Sequence, residues 1–131
     1  MITANAVIHA DHLRVFEFSD FEHPLGIQLG GGDPESLAKA CKRLQPYGFQ
    51  EFNLNAGCPS VRVQNANIGA CLMLDPSRLT DCYQALLENT DVPATLKCRL
   101  GVDNHQEYSF IANHVEKLQS VGCRKVIIHA R

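Results

Sequence analysis

Apolar and polar residues follow two alternating periods along this chain. The run Leu25-Gly26-Ile27-Gln28-Leu29 alternates as a half-buried strand does, and Gly30-Gly31-Gly32 ends it. Asp33-Pro34-Glu35 then supplies a helix start: a capping Asp, a proline at the first helical position and an acid in the first turn. Leu37, Cys41 and Leu44 form a helical stripe, and Gly48 closes it. The plan then recurs. Residues 51–55 predict a strand, 56–74 a long loop, and Asp75-Pro76 a second cap, followed by a stripe of Leu79, Cys82, Tyr83, Leu86 and Leu87. Pro93 precedes a third strand over 94–100, ended by Gly101. Asp103 or Asn104 is expected to cap a helix striped by Tyr108, Ile111, Val115 and Leu118, and Gly122 closes it before a fourth strand over 125–130. The first 26 residues signal less: 2–7 reads as a strand remnant and 11–24 as a long loop holding Phe16, Phe18 and Phe21.

Strand, loop and helix in repeated succession predict an α/β fold with a parallel sheet and crossover helices. No linker or low-complexity segment divides the chain, and the units share a plan but not a sequence. Side chains alternate across a strand. A parallel strand buried on both faces is apolar on both. Here each strand carries polar residues near its carboxyl end, on the face opposite the apolar one: Gln28, Asn55, Lys97 with Arg99, and His129. Four strands agreeing is poorly explained by packing, because each uncompensated buried polar group costs about 1–3 kcal/mol. The set predicts one polar cavity at the top of a barrel.

Just beyond Asn55 the chain turns at Ala56-Gly57 and presents Cys58 before Pro59. The proline keeps Cys58 out of helical geometry, so the thiol sits on a stiff turn at a strand's carboxyl end. In parallel α/β folds ligands bind at that end. Cys58 and His129 form no cysteine-protease signature. The Gly30–Gly32 run lacks both the phosphate-loop ending and dinucleotide glycine spacing, and reads as a tight strand-to-helix turn. No metal site is expected among these residues.

Composition narrows the setting. A net charge of −2 lacks the basic excess of a dedicated nucleic-acid binder. The six cysteines, at 41, 58, 71, 82, 98 and 123, have no paired spacing, which points to a reduced, cytoplasmic protein. No apolar run approaches a membrane span, and the amino terminus has no secretory pattern.

The segments IQLGG (27–31), EFNLNAGCPSVRVQNANIGACLM (51–73), TLKCRLG (95–101) and VIIHAR (126–131) occur in order and cover nearly the whole chain. In them the sequence resembles the tRNA-dihydrouridine synthases, most closely the A type through VQNANIGACLM. The resemblance implies an FMN-binding (β/α)8 TIM barrel followed by a helical tRNA-binding domain. It implies NADPH-driven reduction of a D-loop uridine, 20 or 20a, to dihydrouridine. By the same resemblance Cys58 is the proton donor, Gln28, Lys97 and His129 contact FMN, Asn55 meets the tRNA, and Arg99 lies beside flavin and base. Arg62 is either a backbone contact or a solvated charge. Against the family pattern, the first strand with its A-P-M segment is missing before Met1. The last two barrel strands and the helical domain are missing after Arg131. The chain therefore reads as one partial barrel domain, about strands two to six, expected to bind FMN weakly or not at all alone. Rival readings are a flavin dehydrogenase of free pyrimidines, disfavoured by Q-N-x-x-x-G-A-C-L-M (64–73), and an inactive remnant.

Overall fold

A computed structural model describes residues 1–10, 18–60 and 66–130. The order is β1 (Ile2–Thr3), α1 (Ala4–His9), β2 (Gly26–Gly30), α2 (Pro34–Leu44), β3 (Glu51–Ala56), α3 (Pro76–Glu88), β4 (Ala94–Arg99), α4 (Tyr108–Ser120) and β5 (Val126–His129). All five strands are parallel and lie in the sheet in chain order. Crossovers between parallel strands are right-handed. Strands laid down in sequence therefore send every crossover helix to the same face. This is how a barrel wall is built, whereas a doubly wound sheet reverses its strand order partway.

The helix starts explain themselves locally. The Asp33 carboxylate accepts from Ser36 N at 2.8 Å, with Pro34 in the first turn. Asp75 does the same for Arg78 N at 3.1 Å, with Pro76 following. Leu37, Ala40, Cys41 and Leu44 of α2 and Leu79, Cys82, Tyr83 and Leu86 of α3 are buried against the apolar sheet face of Ile27, Leu29, Phe52, Leu54 and Leu96. The Tyr83 hydroxyl donates to Ala94 O at 2.8 Å, tying α3 to the start of β4. Gly48 and Gly122 take the left-handed conformation where the second and last helical segments end, with φ of 70° and 95°.

Three expectations change. Residues 2–7 are a strand only at Ile2–Thr3; the Thr3 hydroxyl accepts from Ala6 N at 3.1 Å and starts α1 at once. The 56–74 loop ends in a 3-10 helix, Gly69–Leu74, whose Ala70, Leu72 and Met73 join the core. The last helix is not capped by Asp103 or Asn104. Asp103 sits at φ 51° in a tight turn closed by backbone hydrogen bonds between Val102 and His105, and α4 begins five residues beyond it. Tyr108 is accordingly 85% exposed, and the buried stripe is Ile111, His114 and Leu118. His114 is core here because its two ring nitrogens lie 2.7 Å from Phe110 O and 2.7 Å from Met73 O, tying α4 to the 3-10 helix.

One contact sets how closely the β2–α2 turn meets the chain returning from Cys58. A Cβ on Gly32 would fall 1.9 Å from Asn67 O, a backbone atom that cannot swing aside. Gly32→Ala is expected to lower stability by about 1–3 kcal/mol through forced backbone displacement. Urea unfolding within 0.5 kcal/mol of wild type would refute that estimate.

Candidate active site

Strand register puts the polar residues on one face. Gln28 pairs with Asn53 and Asn53 with Thr95; one layer higher Asn55 pairs with Lys97; one layer higher again Arg99 pairs with His129. Paired residues point the same way, and i, i+2 positions share a face. Gln28, Asn55, Lys97, Arg99 and His129 therefore all lie opposite the helices. Cys58 follows two residues after β3 ends, at the same end of the sheet. Arg62 and Arg131 lie outside the described residues.

The buried part of this face is hydrogen-bonded throughout. Asn55 Oδ1 accepts from Gly57 N at 3.2 Å and from Cys58 N at 3.0 Å. Its Nδ2 donates to Gln28 Oε1 at 2.8 Å, and Gln28 Nε2 donates to Asn53 Oδ1 at 2.7 Å. Asn53 Nδ2 donates to Thr95 Oγ1 at 2.7 Å, and Thr95 Oγ1 donates to Glu51 Oε1 at 2.8 Å. Lys125 Nζ donates to Glu51 Oε2 at 3.0 Å. The Thr95 hydroxyl, and then the Lys125 ammonium, hold the Glu51 carboxyl below its ordinary range. From the other side of the turn Arg99 Nε donates to Gly57 O at 2.7 Å, and Ala70 N donates to Cys58 O at 2.9 Å. No buried side-chain nitrogen or oxygen among the described residues lacks a partner.

Two residues of the expected set stand apart. Lys97 is half-buried, and among the described residues no hydrogen bond or ion pair engages its ammonium. His129 is exposed at the carboxyl end of β5. Beside them, Arg99 with Leu100, Gly101, Asp103 and Gln106 lines a cavity of about 490 Å³, within the range of small-ligand sites. Burial pushes the thiols of Cys41 and Cys82 up to about 12 and that of Cys98 up to about 11. Those sulfurs are packing groups. Cys58 differs in being half-buried on a turn. The residues that sequence reading passed over are Glu51, Asn53, Thr95 and Lys125. The alternation that singled out Asn55 and Lys97 already put Asn53 and Thr95 on their face; what it lacked was the pairing register that joins them.

A wall of sequential parallel strands, helices on one face and polar groups gathered toward the carboxyl ends of the other, is part of a (β/α) barrel. The chain belongs to the dihydrouridine synthase (Dus) family, whose sequence model matches residues 1–131. It is 48% identical over 131 residues to a tRNA-dihydrouridine(20/20a) synthase of Xanthomonas axonopodis pv. citri, covering 100% of this chain and 39% of that protein. Proteins of the same name from Pasteurella multocida and Synechocystis sp. are 47% and 43% identical, again over 100% of this chain and over 40% and 39% of their own lengths. The chain thus spans about two fifths of the relatives it matches. Among the described residues no helix is long and apolar enough to cross a membrane, and no group of three His, Cys, Asp or Glu side chains is placed to hold a metal ion.

Proposed function

We propose that this chain is the part of a tRNA-dihydrouridine synthase that carries the proton donor and one side of the flavin site, acting on uridine 20 or 20a. The observation that carries the reading is the Cys58 turn, tied by Asn55 to a polar sheet face on which the Lys97 ammonium has no protein counter-charge among the described residues. A lysine at the carboxyl end of a barrel strand, with no such counter-charge, suits an anionic ligand. Reduced FMN fits that requirement, and when bound it supplies a hydride to the uracil ring.

The protein's own groups do the rest. Lys97 balances negative charge on flavin or on the uracil oxygen as the ring is reduced. His129 and Gln28 complete the flavin contacts, with the Gln28 carboxamide oriented by Asn53 and Asn55. Cys58 Sγ–H would give its proton to the ring carbon adjacent to the one that receives the hydride, completing saturation of the C5=C6 bond, and solvent returns a proton to the thiolate. Arg99 lies beside the base, and Asn55 is the tRNA-side residue at the foot of the thiol's turn. The target uridine leaves its stack to reach Cys58. A flavin held here would be recharged by NADPH. With a net charge of −2, these 131 residues supply little general attraction for tRNA phosphates.

Mass spectrometry of tRNA from cells with and without the intact gene tests this reading. Dihydrouridine at positions 20 and 20a is expected to vanish on deletion and return with the wild-type gene, but not with Lys97→Ala. Undiminished dihydrouridine in the deletion strain would exclude this function.

A further inference from the structure

The hydrogen bonds on the polar face run one way. Starting at the turn, Cys58 N–H donates to Asn55, Asn55 to Gln28, Gln28 to Asn53, Asn53 to Thr95, and Thr95 to the Glu51 carboxylate. Both ends are chemically unable to reverse. A backbone N–H only donates, and an ionised carboxylate only accepts. Each of the three amides between them is therefore confined to one orientation. Turning any one over would set oxygen against oxygen or N–H against N–H at 2.7–2.8 Å. Bonds aligned head to tail in a poorly hydrated setting polarise and strengthen one another. Asn53, Asn55 and Thr95 are 7%, 8% and 1% exposed, so little water competes.

The path spans the sheet. Glu51 opens β3 and Cys58 lies just past its end, about 20 Å away along an extended strand. Lys125 fixes the Glu51 end with its own bond at 3.0 Å.

We propose that Thr95 and Glu51 are positioning residues for Cys58: their hydroxyl–carboxylate contact at the base of the sheet fixes the direction of the amide relay that holds the Cys58 turn. Without the accepting carboxylate, the Thr95 hydroxyl is free to donate toward Asn53. A reversed relay would then present Asn55 Nδ2 to the Gly57 and Cys58 N–H groups, and the turn would lose its anchor. The catalytic meaning of this rests on the proton-donor reading of Cys58, but its test does not.

The test is the rate at which iodoacetamide alkylates each cysteine of this chain, resolved by peptide mass spectrometry without flavin or tRNA. Cys71 serves as reference, since it lies outside the relay. Thr95→Val keeps the shape and leaves Asn53 Nδ2 without its acceptor, so the carboxylate no longer sets the relay's direction; Cys58 is expected to react about fivefold faster, the scale of one lost hydrogen bond acting on a local opening, with Cys71 unchanged. Thr95→Ser keeps the hydroxyl and is expected to restore the wild-type rate, which loss of packing alone would not allow. A Cys58 rate equal to wild type in Thr95→Val overturns the proposal. Should Thr95→Val expose the buried Cys41 and Cys82, Glu51→Met decides by the same criterion from a more exposed position. Retained dihydrouridine formation by Cys58→Ala would end the proton-donor reading and leave these rates untouched.

Discussion

Cys58→Ala is expected to slow uridine reduction by the flavin-loaded enzyme by about two to four orders of magnitude, the usual worth of a positioned proton donor, with little change in stability. The two effects separate because the turn is held by its backbone. Cys58 N–H is bonded to Asn55 and Cys58 O to Ala70 N, and alanine keeps both. No hydrogen bond from the sulfur itself is seen among the described residues, and the side chain is only half-buried. Single-turnover reoxidation of reduced flavin by tRNA, followed beside thermal unfolding, checks both halves. A variant that unfolds early would mean that the sulfur is a packing group, and one that turns over at the wild-type rate would remove it from the chemistry.

Asn55→Ala is expected to produce the largest loss of stability of any polar substitution on this face, about 2–4 kcal/mol. It deletes one acceptor that serves two backbone N–H groups and one donor that serves Gln28. The orphaned groups sit on Gln28, Gly57 and Cys58, which are half-buried, so solvent reaches them only in part. Each buried polar group left without a partner costs about 1–3 kcal/mol, and the N–H groups at the turn recover part of that from solvent. Asn55→Asp separates the two jobs. It still accepts from Gly57 and Cys58, but it sets a carboxylate against Gln28 Oε1. Urea unfolding at constant m-value measures both, and a loss below about 1 kcal/mol for Asn55→Ala would show that the turn stands without its strand anchor.

These predictions bear differently on the polar residues than sequence alone suggested. From the sequence, Asn55 and Gln28 read as part of one ligand-lining polar set, because packing explains four agreeing strands poorly. Hydrogen bonding shows that each amide already holds the other, so any ligand they meet is met by side chains fixed in orientation. Lys97 and His129 lie on the same sheet face, outside the hydrogen bonds that join these amides. Arg99 has a second task, because its Nε fastens the Gly57 carbonyl.

The helix starts at Asp33-Pro34 and Asp75-Pro76 were legible because capping is a local event: a carboxylate, a fixed φ and an N–H three residues on. The strands were legible because burial on one face imposes a period of two. The polar set was legible because parallel strands so rarely carry such residues. The Thr3 cap and the start of α4 were not. A threonine in an apolar run reads as strand until its hydroxyl is seen on Ala6 N. Asp103 reads as a cap until the Val102–His105 pairing spends it in a turn.

By itself the sequence determined the order of strands and α-helices from β2 onward, the apolar and polar faces of those strands, and the family through motifs that run the length of the chain. Tertiary structure alone decided which polar side chains meet. Hydrogen bonding depends on pairing register to within a single residue, and residues separated by 25 to 44 positions, such as Gln28 with Asn53 and Glu51 with Thr95, are brought together only when the strands lie side by side.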